Sequence, residues 1–493
     1  MEDMDRRDFM AAALGGVTFL GASGFLGRNP AIAAVLSEAA TQVYTRRNVY
    51  CLTAASPEIV AYKTAIQAMQ ALPDTNGVSW MAQANIHGTF TPPPGMITAA
   101  CQHNTMFFLS WHRMYVYFFE RIVRKMSGDP NFALPYWGYS PTGPHDLPQI
   151  FRTPTAGNPL YTANRKASIN AGTPIIPALV DAGTALSQVP FFDFTNALNA
   201  LPHGQVHTAV GGGMANFQQA AQDPIFWLHH CNIDRLWELW LGRGAGRVNP
   251  ITDPIWRTTP FQFYDENGGT VMLTGEKIVD TACQLHYQYE SDDCGKVIVF
   301  DPRWWERLSH IRLPSAAIAA KLDSLGARPP LPAPQSLTQA QQPIQLGAKP
   351  VQVALPVSDE GKRILATWSR GESGGHINLV LDDIQVQGTP RVAYEVYINL
   401  PTDVRNPEYT GPNFVGAVNL FGPSSRDMHA AKPESQIIPL SLVYLRLREA
   451  ERWSDDTVRV TFMPRGLTEG EDPARTLRGA TQVIIGRVSV QIQ

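Results

Sequence analysis

Seven of the twelve histidines fall in two groups: His87, His103 and His112, then His203, His207 and the adjacent pair His229 and His230. His145, His286, His310, His376 and His429 stand alone and read as surface or packing residues. His203 and His207 are four apart, so on a helix they share one face and can reach one metal ion. That spacing alone carries little, because core packing produces it often. His103 and His112 are nine apart. That is about 900° of helical turn, which places them on opposite faces of a single helix. They converge only if His103 precedes the helix that carries His112, so 101–104 is expected to be a loop and the helix to start near Thr105. Only one of His229 and His230 can face a metal that His203 and His207 also reach. Asp234, four residues after His230, shares its face and is expected to orient neighbouring donors. Phe226, four residues before it, is placed to pack on an imidazole.

Three plus three neutral imidazoles, with no carboxylate or thiolate ligand signal beside them, suit borderline metals, of which copper and zinc are the candidates. A zinc hydrolase usually carries its general base beside the ligands, as in H-E-x-x-H. Here the residue after His203 is Gly204, so that base is missing. Two all-histidine groups therefore favour a pair of coppers that bind O2 between them.

The surrounding sequence indicates which elements hold these residues. Residues 105–126 are apolar almost all round, as in a buried helix of a bundle. Residues 223–241 read as a second such helix, with Pro224 in its first turn. The region 34–295, rich in Trp, Tyr, Phe and His, is expected to be a mainly α catalytic domain. A linker is expected over 296–350, because 327–350 is Pro/Gln-rich with little periodicity. From 351 to 493 the pattern alternates, with strands at 376–381, 392–400, 457–462 and 481–493, as in a β-sandwich.

At the start, Asp5-Arg6-Arg7-Asp8-Phe9-Met10 precedes an apolar, Gly-containing stretch that ends in Ala31-Ile32-Ala33. Residues 1–33 read as a twin-arginine export signal, which sends the protein to the periplasm or outside the cell. The stretch is too short and too Gly-rich to be a membrane anchor, so no stable insertion is expected after cleavage. With 493 residues and a net charge of −3, the chain lacks the basic excess that nucleic acid or an anionic membrane requires. Five cysteines do not make a disulfide scaffold. Cys283 and Cys294 can pair with each other, Cys51 has no obvious partner, and Cys231 is expected to pack inside its helix.

At the spacing 87–103–112, and at His203-x-x-x-His207 followed by DPIFWLHHCNIDRLW, the sequence resembles the type 3 copper family of tyrosinases, plant catechol oxidases and molluscan haemocyanins. The resemblance implies that two copper ions are held, copper A by His87, His103 and His112 and copper B by His203, His207 and His230. In this family the second histidine of the adjacent pair is the ligand. It extends to Asp253-Pro254-Ile255-Trp256, Phe261 to Asn267, Tyr287-Gln288-Tyr289 and, more weakly, Tyr394 to Asn399, which look like plant polyphenol oxidase segments. In that family the C-terminal domain lies over the copper site and keeps the enzyme latent until it is removed. Cys101-Gln102-His103 is similar to the Cys-x-His of fungal tyrosinases, in which a thioether joins the two side chains. The alternative is a free buried cysteine.

The activity implied is oxidation of o-diphenols to o-quinones with O2 as co-substrate; monophenol hydroxylation is the more demanding alternative. In the family, an Asn directly after the first copper B histidine and a nearby Glu are thought to hold the water that takes the phenol proton. Here those positions are Gly204 and Asn199, so the pair looks absent. Thr208 stands where some bacterial tyrosinases have Arg. Phe217 matches the bulky gate of plant catechol oxidases, or else packs in the core. These departures favour diphenol oxidation over a true tyrosinase. A haemocyanin-like oxygen carrier would use the same six histidines without turnover, but carriers have repeated copper domains in much longer chains.

Overall fold

The structure is a computed structural model that describes residues 42–292, 294–295, 317–318, 320–321, 333–340, 342–422, 434–477 and 483–493. The expected export signal at 1–33, and His310 and His429, lie outside these residues.

The helical part is built on two long buried helices. The helices that bear on the site are, in chain order, α1 (Pro57–Gln70), α2 (Trp80–His87), α3 (Phe108–Ser127), α4 (Phe191–Leu198), α5 (Gln205–Val210) and α6 (Pro224–Gly242). Helix α3 buries most of its circumference, as its continuous apolar sequence predicts, and packs against α1 and α6. It begins three residues later than expected, after a turn in which Phe107 N–H meets the Thr105 hydroxyl at 3.2 Å. It stops where Gly128 takes the left-handed conformation, with Arg124 and Lys125 in the last turn. Asp223 caps α6 by accepting from the N–H of Ile225, and Pro224 occupies the first position, which has no N–H to satisfy. Ser79 caps α2 in the same way through the N–H of Ala82.

A buried ion cluster ties the helices to the short parallel pair β1 (Tyr44–Arg46) and β4 (Tyr287–Tyr289). The hairpin β2 (Phe261–Tyr264) and β3 (Thr270–Leu273) lies between them in sequence. At the centre of the cluster is Asp234, which accepts from Arg113 Nε at 2.5 Å, Arg46 Nη1 at 3.3 Å, and the hydroxyls of Tyr287 and Tyr289 at 2.5 Å each. Burial pushes the Asp234 carboxyl up, but Arg113 and Arg46 together with the two tyrosines hold it below its ordinary value. The expectation that Asp234 orients the histidines is therefore corrected. All its bonds go to arginine and tyrosine, because α6 turns that carboxylate away from the imidazoles and toward the β1–β4 pair.

Cysteine pairing also differs from expectation. Cys51 is bonded to Cys294, with Cα atoms 5.6 Å apart across 243 residues, and Cys283 is free and exposed. The bridge joins the entry and exit of the helical part, a relationship that sequence proximity between Cys283 and Cys294 does not reveal. Cys231 packs inside α6, as expected.

The C-terminal part is the expected β-sandwich. Its strands are β5 (Gln335–Gln339), β6 (Ile344–Leu346), β7 (Val351–Pro356), β8 (Ile377–Val386), β9 (Ala393–Ile398), β10 (Phe414–Ala417), β11 (Glu434–Pro439), β12 (Thr457–Arg465) and β13 (Val483–Ile492). One sheet runs β10-β9-β12-β7; the other runs β11-β8-β13-β5, with β6 also on β13. Their inner faces enclose an apolar core containing Leu379, Leu381, Val396, Val460, Phe462 and Val488, flanked by α7 (Asp359–Arg370) and α8 (Ser441–Glu449). The strand pattern starts at Gln335, inside the stretch expected to be linker through 350. Its prolines fall outside β5 and β6, which pair with the last strand of the chain. Among the described residues no helix is long and apolar enough to cross a membrane.

Sandwich and helical part meet along specific contacts. Ile175 and Thr468 form a backbone bridge, and Ile176 N–H donates to Leu467 O at 3.2 Å. His376 lies 3.4 Å from Asp193, and His145 lies 3.4 Å from Glu469. These two histidines thus bridge the two parts.

Candidate metal centre

The loop before α3, the end of α2, the turn before α5, and α6 bring the two histidine groups together. As the nine-residue spacing requires, His103 lies in the loop and His112 in α3, with ring centroids 5.1 Å apart. His87 ends α2, while His203 lies in a π-helical turn, Asn199–Gly204, that runs into α5 carrying His207.

Four of these rings share one arrangement. Nδ1 of His87 meets Phe217 O at 3.0 Å, that of His112 meets Phe108 O at 2.7 Å, that of His203 meets Asn199 O at 3.1 Å, and that of His207 meets Met214 O at 2.9 Å. A carbonyl only accepts, so each ring carries its proton on Nδ1 and leaves the Nε2 lone pair bare. Nε2 of His87 and of His203 is buried, with no hydrogen-bond partner among the described residues. Nε2 of His207 and of His230 face each other at 3.2 Å, and the rings of His112 and His230 stack at 4.4 Å.

Burial lowers every one of these imidazoles, His87 to about 3. In His103, His112, His203, His207 and His230 the neighbouring imidazoles lower it further. All are therefore neutral at neutral pH, the form that binds metal. Bare lone pairs gathered in a dry site are costly unless a cation takes them. His87, Cys101, His103 and His112 each bring one donor atom within 4.8 Å of one another, and so do His203, His207, His229 and His230. The three imidazoles of the first group and the imidazoles of the second fit two copper ions, with the Cys101 sulfur beside the first.

His229 is not turned away from the cluster. Its Nδ1 meets the Tyr139 hydroxyl at 3.0 Å, and its buried Nε2 has no hydrogen bond within 3.5 Å among the described residues. Phe226 packs on His230 at 4.2 Å and on His87 at 5.0 Å. Phe217 lies 4.8 Å from His87 and 5.2 Å from His103. Thr208 turns its hydroxyl back to Gly204 O at 2.9 Å, and the Asn199 amide donates to Asn104 Oδ1 at 2.7 Å. Cys101 Sγ sits 3.5 Å from Nδ1 and 3.7 Å from Nε2 of His103, and 3.3 Å from Nε2 of His112.

Sequence reasoning missed Phe421. This residue follows β10 in the sandwich, yet it belongs to the core of the helical part and stacks on His207 with centroids 3.9 Å apart. It also lies 5.5 Å from His103 and 5.7 Å from His203. A phenylalanine in a strand-rich segment carries no local sign of such a role.

Residues 77–174 and 152–243 match the common central domain of tyrosinase, and residues 250–296 match the polyphenol oxidase middle domain. Residues 335–493 match a domain of unknown function. A tyrosinase of Hahella sp. (strain CCB-MM4) is 29% identical, covering 90% of this chain and 98% of its own. A chloroplastic polyphenol oxidase of Malus domestica is 27% identical, covering 82% of this chain and 72% of its own. The solved structure of a latent apple tyrosinase superposes with a TM-score of 0.62 at 22% identity, over 92% of this chain and 98% of that one. At that identity the likeness is one of fold. A helical core with two imidazole groups and a strand domain across it defines a protein of the dinuclear copper class. The chain belongs to the type 3 copper family, on its tyrosinase and polyphenol oxidase side, and it is an enzyme.

Proposed function

We propose that the protein oxidises o-diphenols to o-quinones with O2 and that its sandwich domain keeps it latent. The observation that carries this reading is the Phe421 ring, which lies on His207 among the bare Nε2 atoms, where a flat aromatic substrate would have to lie. In this reading His87, His103 and His112 hold copper A, and His203, His207 and His230 hold copper B. The copper pair, when bound, supplies the two-electron chemistry with O2.

The chain's own groups set the geometry. Backbone carbonyls fix four imidazoles by their Nδ1 protons, Phe226 wedges His87 against His230, and the aromatic walls exclude water. Phe217 serves as a gate beside copper A. His230 is preferred to His229 as ligand because its Nε2 reaches His207 and its ring stacks on His112, while His229 is tethered to Tyr139. The near-equal distances from Cys101 Sγ to both ring nitrogens of His103 support a thioether there.

Catechols are favoured over monophenols because the family's water-holding Asn and Glu are replaced here by Gly204 and Asn199. Gly204 has no side chain, and the Asn199 amide is committed to Asn104. Phenolic substrates and O2 are the partners, and export through the 1–33 signal places the enzyme in the periplasm or outside the cell. The test is quinone formation from catechol and from tyramine by copper-loaded protein freed of its sandwich domain. The reading expects rapid turnover of catechol and little of tyramine. Equal or faster tyramine hydroxylation identifies a true tyrosinase, and O2 binding without turnover identifies a carrier.

A further inference from the structure

Gly204 lies between His203 and His207, and its α-carbon faces the sandwich. A Cβ built on it would lie 2.7 Å from Cγ and 3.2 Å from Nδ2 of Asn419, with Oδ1 closer still. The Asn419 carboxamide therefore fills the volume that any other residue at 204 would need. It cannot swing aside freely, because the side chain is buried and its Oδ1 accepts the Phe421 N–H at 3.1 Å. The Asn419 N–H is held in turn by Gln436 Oε1 at 2.8 Å. From the helical side, Gln205 Nε2 reaches over to Val418 O at 2.9 Å.

These contacts form a closed chain. Gly204 seats Asn419, Asn419 fixes the backbone of Phe421, and Phe421 stacks on His207 in the helix that Gly204 precedes. We infer that Gly204 is the seat of the sandwich domain and that Asn419 is the positioning residue that sets Phe421 on the copper B face. The missing side chain next to His203 thus has a second consequence besides the loss of the family's water-holding Asn: it admits the shield. With Asn419 in place, a side chain at 204 and a docked shield exclude one another. This inference rests on the latency reading above.

The experiment uses the full chain with a specific protease site engineered at Ala327. Catechol oxidation is measured before and after cleavage, at equal copper content, and the after/before ratio is the latency. Hydrogen exchange of the segment 418–421 in the uncut chain reports docking independently of activity. In Gly204→Ala, latency is expected to fall by about fivefold or more, because adding one methyl to a packed contact costs at least that in the equilibrium. Protection of 418–421 is expected to fall with it. Adding Asn419→Gly to Gly204→Ala vacates the clashing volume and is expected to restore protection and part of the latency. Unchanged protection in Gly204→Ala, or no recovery in the double variant, overturns the inference. A wild-type ratio of one overturns the latency reading instead, and exchange in the same variants still decides whether Gly204 seats the domain.

Discussion

The ring of Phe421 lies face to face on the imidazole of His207, with planes within 5° and centroids 3.9 Å apart. No sequence element joins these two residues, so the contact exists only because the sandwich is docked. Burying a phenylalanine contributes about 1.5–3 kcal/mol, and an aromatic pair somewhat more. Phe421→Ala should therefore weaken docking and raise catechol oxidation by the uncut chain by about tenfold. Steady-state O2 uptake at equal copper content checks this.

The two histidine groups are expected to load separately. His87→Ala should remove copper A and His203→Ala copper B, each lowering the metal from about two ions per chain toward one. Catechol oxidation should fall by about a hundredfold or more in either case. Metal analysis of folded, purified variants distinguishes this from a structural role, in which copper per folded chain stays unchanged.

Cys101 gives a mass signature. If it is joined to His103, the peptide that spans both is lighter by two hydrogens and cannot be alkylated at Cys101. The Cys101→Ser peptide shows no such loss. Alkylation of Cys101 in the copper-loaded wild type would mean a free thiol.

Glu434 makes latency depend on pH. It starts β11, receives the Asn104 amide at 3.5 Å and lies against Gly422; burial alone pushes its carboxyl up to about 7. A carboxyl raised in the docked state favours docking while protonated. That advantage is lost progressively as pH climbs from the ordinary glutamate range through about 7. The uncut activity, divided by the cleaved activity at each pH, should rise between about pH 5 and 8. Glu434→Gln should flatten that profile.

Asp234 separates stability from metal binding. Asp234→Ala removes the counter-charge that Arg46 and Arg113 share, leaving Glu120 on Arg46 and Glu238 on Arg113, a loss at the low end of about 3–5 kcal/mol. The thermal midpoint should fall while copper per folded chain stays near wild type. Lost copper at unchanged stability would return Asp234 to a role in orienting the histidines.

The helices were legible because α3 and α6 carry long apolar runs and clear end signals at Gly128 and Asp223-Pro224. The loop position of His103 followed from helical arithmetic alone. The ends of elements were less legible: Thr105 was spent on a turn, and β5 and β6 are short strands inside a Pro/Gln-rich stretch. Asp234 was misread because period alone gives a face of α6 without saying what covers it. The Cys51–Cys294 bridge, Phe421 and Asn419 all depend on contacts between distant segments, for which neither propensity nor spacing carries a signal.

The most direct measurement is O2 uptake on catechol by the copper-loaded full chain, followed through cleavage at Ala327. The account predicts slow uptake before cleavage and a rise of at least about tenfold once the sandwich leaves and uncovers His207. Uptake that stays the same through complete cleavage, or that never occurs with catechol, contradicts it.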